Sequence, residues 1–158
     1  MKTAVFAGTF DPITNGHVFI VKKCLEQFDK ILIVVADNDK KIPLFSSEER
    51  KDFIERVFKG FSNVEVYAHH GLMMDFMKER GLVHYIRGVR NDGDLEYEKR
   101  MEDFNKSIYP SLVNVYIDAL DELKSVSSTK VRTAKNEDEL KSLIPNEIFT
   151  DVKKRLKK

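Results

Sequence analysis

A single cysteine, Cys24, is all the thiol in this chain, and tryptophan is absent. One thiol excludes an intrachain disulfide and fits a reducing compartment. Its place in a helical apolar pattern reads as a small core residue rather than a nucleophile. Excess charge of either sign is missing as well: 27 basic residues face 26 acidic ones, a net charge of +1. Bulk electrostatics therefore give no sign of a nucleic-acid partner. No apolar run approaches membrane-spanning length, and the N-terminus lacks the apolar stretch of a signal peptide, so the expectation is a cytoplasmic protein without a membrane partner. Internal repeats, low-complexity segments and linkers are also missing. His69, His70 and His84 have no second cysteine to join them. His69 and His70 point opposite ways if a strand reaches that far, so no protein-held metal is expected. With 158 residues, one domain spanning 1–158 is the default, long enough to bury roughly two-thirds of its unfolded surface without staples.

What the chain does have is concentrated near its start. Ala4-Val5-Phe6-Ala7 reads as a buried strand, and Gly8-Thr9-Phe10-Asp11-Pro12-Ile13-Thr14-Asn15-Gly16-His17 follows it. An amphipathic pattern then begins, with Val18, Val21, Leu25 and Phe28 on one helical face. Strand, glycine-containing loop and helix in that order place the loop at the carboxyl end of a strand. Ligands of open parallel sheets bind there, and the helix N-terminus favours an anion. Thr9 offers a hydroxyl, Asp11-Pro12 a rigid turn, Gly8 and Gly16 room for close approach, and His17 an imidazole donor in the first helical turn.

The rest of the chain alternates. Strands are read at residues 31–36, 64–67, 83–86 and 113–117. Helices are read after the Ser46/Glu49 capping box, at 72–80 with Gly81 as its stop, at 94–108, from the serines 125–128 through Arg132, and from Pro145 onward. This predicts an α/β, Rossmann-like open parallel sheet of five strands with helices on both faces. Arg87 and Arg90 flank Gly88 at the end of the fourth strand, a pair suited to phosphate oxygens.

Thr14-Asn15-Gly16-His17 and the decapeptide around it resemble the first signature of the nucleotidyltransferases with a Thr-x-Gly-His or His-x-Gly-His motif. Among these, the chain is similar to the bacterial phosphopantetheine adenylyltransferases. Further matches follow in order: Lys41-Ile42-Pro43-Leu44-Phe45, Gly71-Leu72-Met73-Met74-Asp75-Phe76, Arg87-Gly88-Val89-Arg90 with Asp94-Leu95-Glu96-Tyr97-Glu98, and Ser127-Ser128-Thr129-Lys130-Val131-Arg132. Val126 stands where the family prefers isoleucine, and Leu123 stands near a position that is often aromatic.

The resemblance implies strand order 3-2-1-4-5 and transfer of the adenylyl group of ATP to 4′-phosphopantetheine. The products are dephospho-coenzyme A and pyrophosphate, in a reversible step of coenzyme A biosynthesis. Mg2+ is implied with the nucleotide, and a homohexamer as the assembly. By the same resemblance, His17, Lys41 and Thr9 are catalytic. ATP meets Thr9, Phe10, His17, Gly88, Val89, Arg90, Glu98, Leu123, Lys124, Ser125, Val126, Ser127, Ser128 and Thr129. Phosphopantetheine meets Thr9, Lys41, Leu72, Met73, Arg87 and Asn105. The rival readings are a sister transferase with another phosphorylated acceptor and a non-catalytic nucleotide-sensing or RNA-binding module. Sister enzymes usually carry histidine where Thr14 stands, and the complete set of candidate site residues with near-neutral charge speaks against the module.

Overall fold

A computed structural model of the protein describes residues 1–37 and 42–156. Its five strands are β1 (Thr3–Gly8), β2 (Lys30–Asp37), β3 (Val64–His70), β4 (His84–Val89) and β5 (Val113–Asp118). They form one sheet in the order β3-β2-β1-β4-β5, and every pairing is parallel. Both the strand count and the order agree with the sequence reading.

Side chains alternate across each strand and so divide the core into two layers. Ala4 and Phe6 of β1, Ile31, Ile33 and Val35 of β2, and Ile86 of β4 face one layer. That layer is covered by α1 (Asn15–Cys24), α2 (Ser47–Val57), α5 (Ser128–Arg132), α6 (Glu137–Leu143) and α7 (Asn146–Leu156). Val5, Ala7, Leu32, Val34 and Tyr85 face the other, where Met74, Phe76 and Met77 of α3 (Met73–Arg80) close the core. Both faces of the central strands are dry, which is why β2 reads as an unbroken apolar run. The remaining helix, α4 (Asp92–Ile108), follows β4; its one buried residue is Glu98.

Caps mark the helix ends much as the sequence suggested. Ser46 and Glu49 form a complete capping box on α2. Gly81, with φ of 65°, takes the left-handed position that ends α3. Two details differ. The first helix stops at Cys24, so its buried face is Ile20, Val21 and Cys24, and Val18 and Leu25 are only partly covered. Helix α6 is an addition to the sequence reading: three acids fill its first turn, and only Leu140 and Leu143 are buried.

Cys24 is buried, and burial pushes its thiol up to about 11, so it carries no thiolate at neutral pH. No helix among the described residues is long and apolar enough to cross a membrane.

Candidate functional site

The sheet order changes direction between β1 and β4. Chains leaving those two strands feed α1 on one face and α4 on the other, opening a crevice at their carboxyl ends. The crevice holds a cavity of about 370 Å³. Gly8, Phe10, Thr14, Gly16 and His17 line it from the first loop, and Arg87, Gly88 and Arg90 from the end of β4. Asp94, Tyr97 and Glu98 contribute from α4, and Leu123, Val126, Ser127 and Ser128 from the loop before α5.

His17 is fixed by its own helix. Thr14 is the N-cap of α1, and its hydroxyl accepts from the His17 backbone N–H. In return the Thr14 backbone N–H donates to His17 Nδ1 at 3.0 Å. A backbone N–H only donates, so Nδ1 is the bare nitrogen and the neutral ring carries its proton on Nε2. Burial, then the nearby charges of Arg90 and Arg87, lower the His17 pKa to about 4. At neutral pH the imidazole is uncharged and its Nε2–H is the donor left for the cavity.

Phe10 frames the ring from the side, edge-on at 4.9 Å between centroids. Its φ of 48° is left-handed, a strained setting for a residue with a side chain, held here by burial of the phenyl ring. The ring lies against Gly8, where an added Cβ would come within 3.2 Å of it. A side chain at position 8 would therefore require the Phe10 ring to give by a few tenths of an ångström. At Gly88 the fit is tighter: a Cβ there would stand 2.3 Å from Ile20 Cδ1.

The two arginines differ. Arg87 donates through Nε and Nη2 to both oxygens of Glu98, at 2.8 and 3.1 Å, and through Nη1 to the Ala7 carbonyl and the Tyr85 hydroxyl. Among the described residues nothing accepts from its second Nη2–H. Burial works against its charge, but Tyr85 and Glu98 outweigh it and hold the guanidinium above its ordinary pKa. Arg90 is more exposed, and among the described residues its side chain bonds Asp94 alone, at 3.1 Å from Nε. Such an exposed pair is worth little, so an incoming phosphate displaces Asp94 from Arg90 far more easily than Glu98 from Arg87. Opposite them, Ser127 caps α5 and Ser128 Oγ donates to the Pro12 carbonyl, locking the later signature onto the first loop. Arg132 adds a bond from Nη1 to the Asp11 carbonyl at 2.8 Å.

Residues 5–134 match the cytidylyltransferase-like family. A phosphopantetheine adenylyltransferase of Clostridium botulinum (strain 657 / Type Ba4) is 41% identical over 157 residues, covering 99% of this chain and 96% of that protein. One from Clostridium tetani is 39% identical over 156 residues, covering 98% of each. The chain belongs to the phosphopantetheine adenylyltransferase family. Among solved structures, a bifunctional NMN adenylyltransferase/ADP ribose pyrophosphatase from Francisella tularensis superposes with a TM-score of 0.69 at 15% identity, over 100% of this chain. This chain spans 51% of that protein's length. A lipopolysaccharide core biosynthesis protein from Thermoplasma volcanium gives 0.57 at 22% identity, over 77% of this chain and 99% of that one. Both likenesses are of fold.

For this family member the structure gathers His17, Phe10, Arg87, Gly88, Arg90, Glu98, Leu123, Val126, Ser127 and Ser128 around one cavity. Thr9 falls outside it. It is exposed and lines a neighbouring cavity of about 520 Å³ with Asp11, Ile42, Pro43, Leu44, Ser128 and Arg132. Val89 is buried, and Lys124, Ser125 and Thr129 are exposed and outside the lining. Leu72, Met73 and Asn105 line neither cavity. Leu72 caps α3 half-exposed, Met73 packs on the second core layer, and Asn105 lies along α4. Lys41 lies outside the described residues. The sequence reading did not assign Phe6, Ala7, Ile20, Asp94, Tyr97 and Ala119, which also line the cavity. Asp94 and Tyr97 had a visible signal, since both stand in the acidic segment that follows Arg90.

Proposed function

We propose that the protein transfers the adenylyl group of ATP to 4′-phosphopantetheine, giving dephospho-coenzyme A and pyrophosphate reversibly. The observation that carries this reading is a neutral imidazole, its Nδ1 occupied by Thr14, set with two arginines in one cavity at the switch point. The acceptor phosphate is already an anionic nucleophile and needs no general base. The work left to the protein is to hold two polyanions in line and to meet the charge that gathers on the α-phosphate. His17 Nε2–H donates there. A neutral donor suits that task, because it gives a hydrogen bond without surrendering its proton.

Arg90 exchanges Asp94 for the nucleotide phosphates, with Ser127, Ser128 and Thr129 beside it. Phe10, Gly88, Val89, Glu98 and the 123–126 stretch hold the nucleoside, and Glu98 also keeps the Arg87 guanidinium in place. Arg87 offers its other Nη2–H to the acceptor phosphate, Thr9 and Lys41 serve the same phosphate by the family's pattern, and Leu72, Met73 and Asn105 take the pantetheine arm. Magnesium belongs to the substrate, arriving on the ATP phosphates, whose oxygens and waters suit it. The setting we propose is the cytoplasm, and the assembly a homohexamer.

Pyrophosphate release with a panel of phosphorylated acceptors, each offered ATP and CTP, tests the reading. Turnover with 4′-phosphopantetheine and ATP is the expected result. Preference for CTP, or for nicotinamide mononucleotide as acceptor, would move the protein to a sister activity, and no release with any pair would refute transferase function.

A further inference from the structure

Arg50, on α2, is 2% exposed, less than any other charged side chain described, and it lines no part of the 370 Å³ cavity. A guanidinium stripped of water must find acceptors. It finds backbone carbonyls from three separate segments. Nε donates to Phe45 at 3.0 Å and Ser46 at 3.3 Å, and Nη1 donates to Thr9 at 2.9 Å and Ala36 at 3.2 Å. The carboxylate of Asp11, itself buried, holds the same stretch by its amides, accepting from Leu44 N at 2.8 Å and Phe45 N at 2.9 Å. From outside, Arg155 of α7 donates Nη1 to the Leu44 carbonyl at 2.7 Å.

Residues 44–46 are thus pinned through both kinds of backbone group, and the Thr9 carbonyl is tied to the same guanidinium. Ala36 and Phe45 stand on either side of residues 38–41 in sequence, and Arg50 bonds both. A well-packed aliphatic side chain would hold α2 on the sheet at least as well, because burying a charge is costly. It would not gather three chain segments around one point.

We propose that Arg50 is a positioning residue for the transfer reaction. Through its forked bonds it sets the separation between the Thr9 loop and residues 42–44, which line the 520 Å³ cavity together, and so the placement of the acceptor phosphate. The inference rests on the function proposed above.

The test uses full-length Arg50→Lys, which keeps the charge and loses the fork, assayed well below its melting midpoint beside wild type. A displacement on the order of 1 Å in a reacting group costs about a hundredfold. The expected result is accordingly a kcat lower by about ten- to a hundredfold with a raised acceptor KM. Binding of a non-transferable ATP analogue should stay within about twofold, because no residue of its cavity has changed. Arg155→Met loosens the same stretch at the surface, leaves the core intact, and should give a smaller kcat loss with the same unchanged analogue affinity. It keeps the claim refutable should Arg50→Lys fail to fold. Wild-type kcat in either folded variant, or analogue binding that falls in step with kcat, would overturn the proposal. An inactive wild type would remove the functional reading along with it, whereas an active wild type with equally active variants would remove this inference alone.

Discussion

Replacing His17 with alanine removes two things that the structure keeps distinct. The first is the Nε2–H donor in the cavity. Loss of one preorganised donor to a developing oxyanion costs about 10²- to 10³-fold in kcat, or roughly 3–4 kcal/mol. The second is the ring's acceptance of the Thr14 N–H, half of the α1 capping box. A lost cap costs about 1 kcal/mol, which for a domain of this size lowers the melting midpoint by about 2–4 °C. A fold loss of that size leaves the variant almost fully native at 25 °C, so the kinetic effect stands clear of it. Pyrophosphate release at saturating ATP and 4′-phosphopantetheine reads the first term, and a thermal melt reads the second. Affinity for a non-transferable ATP analogue should change far less than kcat. A variant that melts a few degrees lower yet turns over within about threefold of wild type would refute the reasoning, since the donor would then contribute nothing to the barrier.

Two further outcomes follow from the same geometry. His17 stays neutral in the fold down to about pH 4, while the unfolded chain takes up that proton near 6.5. The unfolded state binds more protons between those values. Stability should therefore fall as pH drops through that window, by about 2 kcal/mol at pH 5 and about 3 below pH 4. The wild-type advantage of about 1 kcal/mol over His17→Ala at neutral pH should vanish just below about pH 6 and reverse at lower pH, so that the denaturant midpoints cross, and parallel curves would contradict the assignment. Gly88→Ala drives a methyl group to 2.3 Å from Ile20 Cδ1 and forces Ile20, a lining residue, to shift. Cδ1 is the free end of its side chain, so turning Ile20 relieves much of the overlap and the cost stays near or below the low end of the about 1–3 kcal/mol usual for overpacking. It should appear as weaker ATP-analogue binding and a lower melting midpoint, both largely restored by adding Ile20→Val; a double variant as weak as the single one would place the clash elsewhere.

The sheet was legible because each strand carries its own signal: β2 as an unbroken apolar run, and β1 and β4 by the glycine and arginine residues at their carboxyl ends. Strand order came from resemblance, since periodicity carries no information about neighbours. Helix α6 was hidden because two buried leucines in a short acidic segment make no periodic stripe, although Asn136 three residues before Glu139 is a capping signal. In the site, the motif residues facing the cavity were readable as types with a known chemistry. Their pairings were not. Nothing in the spacing of Arg87 and Glu98 distinguishes a phosphate-binding arginine from one already held by a carboxylate. The burial of Arg50 is set by Thr9 and Ala36, residues fourteen or more positions away. The Asp11 contacts to Leu44 and Phe45 are equally remote in sequence.

Nitrogen-15 NMR of the His17 ring at pH 7, with a non-transferable ATP analogue bound, bears most directly on a neutral imidazole serving as donor to the nucleotide. A protonated Nε2 whose shift responds to the analogue, beside a bare Nδ1, is the result this structure predicts. A doubly protonated ring, or a single proton resident on Nδ1, would contradict it.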